Sequence, residues 1–344
     1  MKRKISFYLK AIASIVFLII LFRFVQGREL VKVLRQVNLF YFVLSLVISV
    51  MIVGVTTLRW KMLLMAQGTP LSFLELFKIY YIGYYFSNLL PSNFGGDVVR
   101  SICAGESIGS QSRSAVSVLA ERVIGFILLL ILAIILPIFG GSGLYTHPAI
   151  YVPAIISAVG LIVLFLVLIF TRPLTLFFLI LRRVFLSISS LVGGKEGGIG
   201  GWRDRIDNLL VRLKKKADTF HDRWEEGMSS LTGKPLLLVY TILLTMLHYV
   251  LMWLNVYYSL RAFDVIAPVF DIALVLPTAL FVAMIPITLG SIGIAESSYV
   301  FYFGLIGVHK PSVLAMALLL RLKMILSGVV GLVLYMRYGN ERIK

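Results

Sequence analysis

Val123–Phe139 reads VIGFILLLILAIILPIF, without one ionisable side chain. A helix made from such a stretch has no polar face for water, so it needs an apolar surround on every side. At a rise of about 1.5 Å per residue it nearly covers the ~30 Å hydrocarbon core of a bilayer. Five more runs have the same character: Ile5–Phe22, Leu39–Leu58, Ala149–Phe170, Leu236–Tyr258 and Val313–Met336. Hydrophobic residues make up 59% of the 344 positions and charged residues 14%. Soluble domains carry about 45–50% and roughly 25%. Backbone groups in lipid must pair within their own segment, so helices are expected in these runs rather than open strands. The sequence therefore specifies an all-α polytopic membrane protein with about six spanning helices.

Outward from this run, charge placement gives an orientation. The loop Gly140–Pro148 has no Lys or Arg, whereas Arg172–Lys234 holds 12, against seven acids. The positive-inside rule puts the second region, both termini and the Arg337/Arg342/Lys344 tail in the cytoplasm of a cell-membrane protein. Arg23, Arg28, Lys32 and Arg35 fall outside and disagree with the rule. Lys2-Arg3-Lys4 before the first run resembles a signal-peptide start, but the run is long and lacks a small-x-small cleavage site, so a retained anchor is expected. The formal net charge of +17 sits in loops beside apolar runs, which points to anionic lipid and away from nucleic acid. Cys103 is the single cysteine, so no intramolecular disulfide or thiolate metal cluster is expected.

Two apolar segments do not fit as simple crossings. Phe73–Leu90 runs into Pro91-Ser92-Asn93-Phe94-Gly95, and Ile272–Ile285 into Pro286-Ile287-Thr288-Leu289-Gly290. Each breaks at Pro, two residues, an apolar residue and Gly, where helices should stop. Reading both as re-entrant broken hairpins, at 73–118 and 268–309, makes the charge bookkeeping consistent. The chain then divides into repeats of opposite topology, 1–140 and 141–344, the second carrying a basic insertion at 171–234. Two independent Pro-kinked helices are the other reading. Broken segments at matching positions point to a binding site in transporters.

Ionisable groups inside apolar segments are expensive, so each is a candidate with a partner to name. Both halves place an acid on the hairpin and an Arg on the following helix: Asp97 with Glu121-Arg122, and Glu296 with Arg321. Lys323 follows two residues later. Local salt bridges locking hairpin to helix, and a binding role, both fit this pattern. Broken helix ends suit an anion, and Arg suits bidentate phosphate contact. Asn88, Ser92, Asn93, Thr288 and Ser291 add neutral hydrogen-bonding groups. A phosphate-bearing lipid headgroup, held by Arg122 and Arg321 between the hairpins, is the expected ligand, with Asp97 and Glu296 neutralising those arginines between turnovers or binding a cationic headgroup or proton.

Enzyme signatures are weak. His147, His221, His248 and His309 lack metal-ligand spacing, no GxxxxGK[ST] is present, and no cofactor is expected. In Arg203–Glu226 the apolar residues Ile206, Leu209, Leu210, Leu213, Ala217, Phe220 and Trp224 line one helical face flanked by basic residues. That face would lie on anionic inner-leaflet lipid, pack on the protein's own cytoplasmic side, or dock a partner enzyme.

The run Leu90-Pro91-Ser92-Asn93-Phe94-Gly95-Gly96-Asp97-Val98-Val99-Arg100, with Arg59-Trp60, Glu121-Arg122, Pro286 through Glu296 and Arg321, resembles the lysylphosphatidylglycerol synthase transmembrane-region family, also called flippase-like. The resemblance spans nearly the whole chain. It implies a lipid translocator similar to the membrane half of multiple peptide resistance factors, with Arg100 part of the hallmark. Full-length synthases add a soluble domain that transfers an amino acid from tRNA. These 344 residues have no room for it, so that activity is not expected. A membrane subunit that anchors or regulates a glycosyltransferase or lipid synthase is the alternative function.

Overall fold

The computed structural model describes residues 32–89, 95–140, 147–169, 233–285 and 288–342, with part of 207–230. Its principal helices are α1 (Leu39–Ala66), α2 (Phe73–Leu89), α3 (Gly95–Ser107), α4 (Gln111–Ile135, extended by a 3-10 turn over Leu136–Gly140) and α5 (Pro148–Ile169). After the basic segment come α6 (Pro235–Arg261), α7 (Val269–Ala283), α8 (Ile294–Leu305) and α9 (Lys310–Arg342). No strand occurs among the described residues. The protein is an all-α polytopic membrane protein.

Among the described residues five helices are long and apolar enough to cross a bilayer: α1, α4 with its extension, α5, α6 and α9. They coincide with five of the six apolar runs, and Ile5–Phe22 lies outside the described residues. Their outward surface is apolar. Ile155, Ile156, Val159, Ile162, Val163 and Phe165 on α5 are all exposed from the protein. A soluble monomer rarely leaves so much contiguous apolar surface uncovered, whereas lipid tails cover it at no cost.

Each half repeats one sequence of elements: a long helix, two short helices and another long helix. The long helices α1 and α6 pack together along their lengths. They run antiparallel: Asn38 N–H donates to Ala262 O at 2.8 Å at one end, and Lys234 Nζ donates to Ala66 O at 2.9 Å at the other. Helix α2 packs on α9, while α7 packs on α4. Both α3 and α8 end in an Ile-Gly turn, Ile108-Gly109 and Ile306-Gly307, with each Gly at positive φ. Beyond each turn the next N–H reaches back to the helix: Ser110 N–H to Gly105 O at 2.9 Å, and Val308 N–H to Phe303 O at 3.1 Å. This is the Schellman closure that left-handed glycine permits.

The largest buried apolar cluster lies in the second half, around Leu260, Ile272, Val275, Phe303, Val313 and Met316. A smaller one, around Trp60, Leu64, Leu76, Ile79 and Cys103, underlies the polar site of the first half. Of the basic segment, Leu210 is buried and Leu209 exposed, while Glu226 stands 3.9 Å from Arg113. Ile206, Leu213, Ala217, Phe220 and Trp224 lie outside the described residues.

Backbone contact fixes two crossings. A Cβ on Gly331 of α9 would stand 2.0 Å from Tyr81 O of α2, and one on Gly96 of α3 would stand 2.2 Å from Gly83 O. Small residues allow such approach where no hydrophobic effect pulls helices together. Replacing Gly331 by Ala should destabilise the protein by about 1–3 kcal/mol through overpacking. Gly54→Ala has nothing within 4 Å of the new methyl and should not lower stability. Melting of the purified protein in detergent checks both; equal melting temperatures for the two variants would refute the close α2–α9 contact.

Candidate functional site

On α1, Thr56, Arg59, Trp60 and Leu63 recur at three- and four-residue spacing and are buried together. On α4, Ser114, Ser117 and Glu121 do the same. The two stripes face each other, and Trp60 Nε1 donates to Ser117 Oγ at 2.8 Å. The crossing brings a carboxylate and a guanidinium together inside an apolar bundle. Arg59 Nη2 lies 2.7 Å from Glu121 Oε1, which also accepts from the Tyr80 hydroxyl at 2.9 Å.

The second oxygen of Glu121 is taken by α3. Arg100 Nη2 lies 2.7 Å from Glu121 Oε2, and Arg100 Nε lies 3.1 Å from Asp97 Oδ1. Asp97 Oδ2 in turn lies 2.7 Å from Arg122 Nε. The result is a linear chain, Arg59–Glu121–Arg100–Asp97–Arg122, with three positive and two negative groups. Arg100 is buried between aromatic faces, its guanidinium 4.5 Å from the Tyr80 ring centre and 4.9 Å from that of Trp60. Cation–π attraction strengthens where water is excluded. Arg122, at the end of the chain, differs: 52% of its side chain remains accessible.

That accessibility opens into a cavity of about 240 Å³. Arg59, Arg100, Arg122, Asp97 and Glu121 line it, with Tyr80, Tyr84, Ser87 and Phe126. The second half contributes His248, Tyr249 and Met284. The Tyr249 hydroxyl donates to Gly125 O at 2.9 Å and ties α6 to α4 at the cavity wall. One uncompensated positive charge beside neutral hydrogen-bonding groups and aromatic rings suits a monoanion with apolar attachments. Among the described residues no group of three or more His, Cys, Asp or Glu converges to hold a metal ion.

The second half holds a matching pair. Arg321 Nε lies 2.5 Å from Glu296 Oε1, and Glu296 Oε2 accepts Gly293 N–H at 2.7 Å. Asp97 and Glu296 are each the third residue of a short helix, where the positive end of the helix favours a carboxylate. Both acid–Arg pairs expected from the sequence therefore form.

The other expected residues divide. Asp97, Arg100, Glu121 and Arg122 share the cavity, whereas Arg321, Glu296, Thr288 and Ser291 are absent from its lining. Thr288 is buried, its hydroxyl without a hydrogen-bond partner among the described residues. Ser291 takes a positive φ beside Gly290, a conformation costly for a residue with a side chain. Asn88 Nδ2 donates to Met324 O at 3.1 Å and so bridges α2 to α9. Ser92 and Asn93 lie outside the described residues. Tyr84 and Tyr249 read in sequence as ordinary members of aromatic-rich helices, with no signal that marks them for the cavity.

This architecture is that of a polytopic helical membrane protein with a buried ionic chain beside an intramembrane cavity. The chain belongs to the family described as "Lysylphosphatidylglycerol synthase TM region", whose model matches residues 7–331. It is similar to two UPF0104 membrane proteins of Methanothermobacter thermautotrophicus. One is 27% identical, over 84% of this chain and 82% of the relative; the other is 22% identical, over 99% and 95%. A UPF0104 membrane protein of Pyrococcus horikoshii is 23% identical over 92% of each chain. No solved structure matches.

Removing one member of a buried ion network leaves its partners uncompensated, at a cost of about 3–5 kcal/mol. Glu121→Gln strands two arginines and should cost that much, whereas Arg122→Gln, at the accessible end, should cost much less. The double variant Arg59→Met/Glu121→Gln should lose less than the two single variants together, because the stranded charge goes with its partner. Thermal unfolding in one detergent checks the set; additive losses would contradict the network.

Proposed function

We propose that this protein moves a phospholipid, or a lipid-linked headgroup, between the leaflets of the cell membrane. The observation that carries the reading is the cavity beside Arg122, where a half-exposed guanidinium ends an ionic chain with one excess positive charge. A phosphodiester headgroup matches that charge, and Arg offers paired donors to its oxygens. Tyr84, Phe126 and Met284 provide apolar wall for the part of the lipid next to the phosphate.

We further propose that the halves form an inverted repeat, with α2–α3 and α7–α8 as hairpins entered from opposite sides and both termini cytoplasmic. The antiparallel α1–α6 pair supports this, as do the two Ile-Gly closures and the two acid–Arg pairs. Reciprocal contacts add weight: Arg59 of α1 reaches Thr245 of α6 at 3.5 Å, and Asn255 of α6 reaches Ser49 of α1 at 2.6 Å. The same sequence separation divides Arg59 from Asn255 and Ser49 from Thr245. Rocking one half against the other would open Arg122 to one face, and the Glu296–Arg321 pair to the other.

Two measurements test this. In proteoliposomes carrying NBD-labelled phosphatidylglycerol, the dithionite-accessible fraction should show protein-dependent exchange between leaflets. Arg122→Ala should slow that exchange about tenfold to a hundredfold, the weight of a charge-assisted hydrogen bond of about 1.5–3 kcal/mol. Exchange by Arg122→Ala at the wild-type rate would refute the site. For the topology, single cysteines replace the exposed Glu106 and Lys310 in a Cys103→Ala background. Impermeant maleimide should reach the first from the cytoplasm and the second from outside, and labelling from one shared side would refute the inversion.

A further inference from the structure

Lys323 of α9 is 3% exposed and takes no part in the site above. Its ammonium donates to Asn255 Oδ1 and, at 2.9 Å, to Ser259 Oγ, both on α6. Ser259 Oγ donates to the Asn255 carbonyl. Asn255 Nδ2 carries the network on to Ser49 Oγ at 2.6 Å and Ser45 O at 3.3 Å on α1. Every partner is neutral.

The charged groups on the surrounding elements are engaged or distant. On α8, Glu296 holds Arg321 and the Gly293 N–H, and the remaining ionisable groups are Tyr299 and Tyr302. On α7 the one acid is Asp271, in the first turn, and on α2 it is Glu75, also in the first turn, with Lys78 exposed. Tyr81 and Tyr85 of α2 lie against Gly328 and Gly331, further along α9. On α1, Arg59 is bound to Glu121, and Lys61 stands about three turns beyond Ser49. On α6, Arg261 is stacked on Tyr41 and His248 lines the cavity, leaving Tyr240, Tyr249, Tyr257 and Tyr258. Helix α9 itself adds Arg321, exposed Lys310 in its first turn, and Tyr335 and Arg337 further along. Among the described residues no carboxylate pairs with Lys323.

A carboxylate partner would hold the lysine in its charged form. An amide and a hydroxyl serve either form: ammonium needs acceptors, and the neutral amine accepts one hydrogen bond. The Ser259 O–H, now directed to the Asn255 carbonyl, can turn to donate to an amine lone pair. Lipid penalises an unpaired ammonium, so such a residue in a membrane helix marks a functional position.

We propose that Lys323 is a proton-binding site, whose loading and unloading couples a transmembrane pH gradient to movement at the α1–α6–α9 junction. The Nζ amine takes a proton from water on one side, becomes ammonium, and returns the proton to water on the other. No other bond changes. The cargo side of this coupling rests on the translocator reading; the proton site does not.

Two readouts separate them. Melting of the full chain in detergent is followed from about pH 5 to about pH 9, a range in which exposed lysines stay charged. Wild type is compared with Lys323→Met and with Lys323→Gln, the latter keeping a hydrogen-bonding group if Met fails to fold. The melting difference between wild type and each variant should change with pH, and parallel curves would overturn the proton site. In proteoliposomes with an imposed pH gradient, the resting leaflet ratio of NBD-phosphatidylglycerol should shift by up to about tenfold per pH unit for one proton per lipid. Both neutral variants should lose that shift. A shift retained in the variants, or absent from a wild type that does exchange lipid, would overturn the coupling. A wild type that exchanges no lipid, with a pH-dependent melting difference intact, would overturn the cargo reading and leave the proton site standing.

Discussion

Glu121 commits both carboxylate oxygens to arginines from different helices, Arg59 of α1 and Arg100 of α3, in a region with little water to hydrate any of them. The desolvation of three ions is recovered only while all three sit in contact. That requirement sets the distance between α1, α3 and α4 more sharply than apolar packing in lipid does, since lipid tails solvate a displaced leucine nearly as well as another helix does. The Tyr80 hydroxyl on the same carboxylate oxygen adds α2 to the set. The α2–α3 pair is therefore pinned by its charges, and its glycines let the helices come close enough for them to meet.

The same arithmetic of charge leaves the site incomplete. Three arginines and two acids do not balance, and the excess falls at Arg122, the member that faces open space. The second half has no such excess at its acid–Arg pair: Glu296 spends one oxygen on Arg321 and the other on a backbone N–H. In the proposed transport cycle, a balanced, largely buried pair in one half and an unbalanced, accessible one in the other would correspond to a state with one face open. In the same proposal the reciprocal α1–α6 contacts, through Thr245 and Ser49, would serve as the swivel.

Much of this was legible in the sequence because the signals are local. Apolar runs such as Val123–Phe139 announce their own helices, and the Pro and Gly at the ends of Phe73–Leu90 and Ile272–Ile285 mark where helices stop. Asp97 with Arg122, and Glu296 with Arg321, were readable as pairs because a charge inside lipid needs a partner and each half offers one acid and one Arg in matching order. What could not be read depends on helix crossings. Arg59 belongs to a recognisable motif, yet its grip on Glu121 follows from how α1 lies across α4. Tyr249 and Met284 reach the first-half cavity only because α6 and the end of α7 lean against α4. Arg321 was expected beside Arg122, and the cavity lining includes only the latter. Asn88 looked like a ligand group, and its amide instead caps a contact with α9, because the absent side chain of Gly328 leaves it room.

The most direct test of the central claim, that a phospholipid headgroup enters the cavity at the end of the ionic chain, is chemical mapping of where a lipid touches the protein. A phosphatidylglycerol carrying a diazirine close to its phosphate, photolysed in membranes containing the full chain, should label Tyr84, Phe126 or Met284 on the cavity wall. Adding unlabelled phosphatidylglycerol should compete that labelling away. Adducts confined to outward residues such as Ile156, Val159 and Phe165 of α5, with none on the cavity wall, would contradict the account.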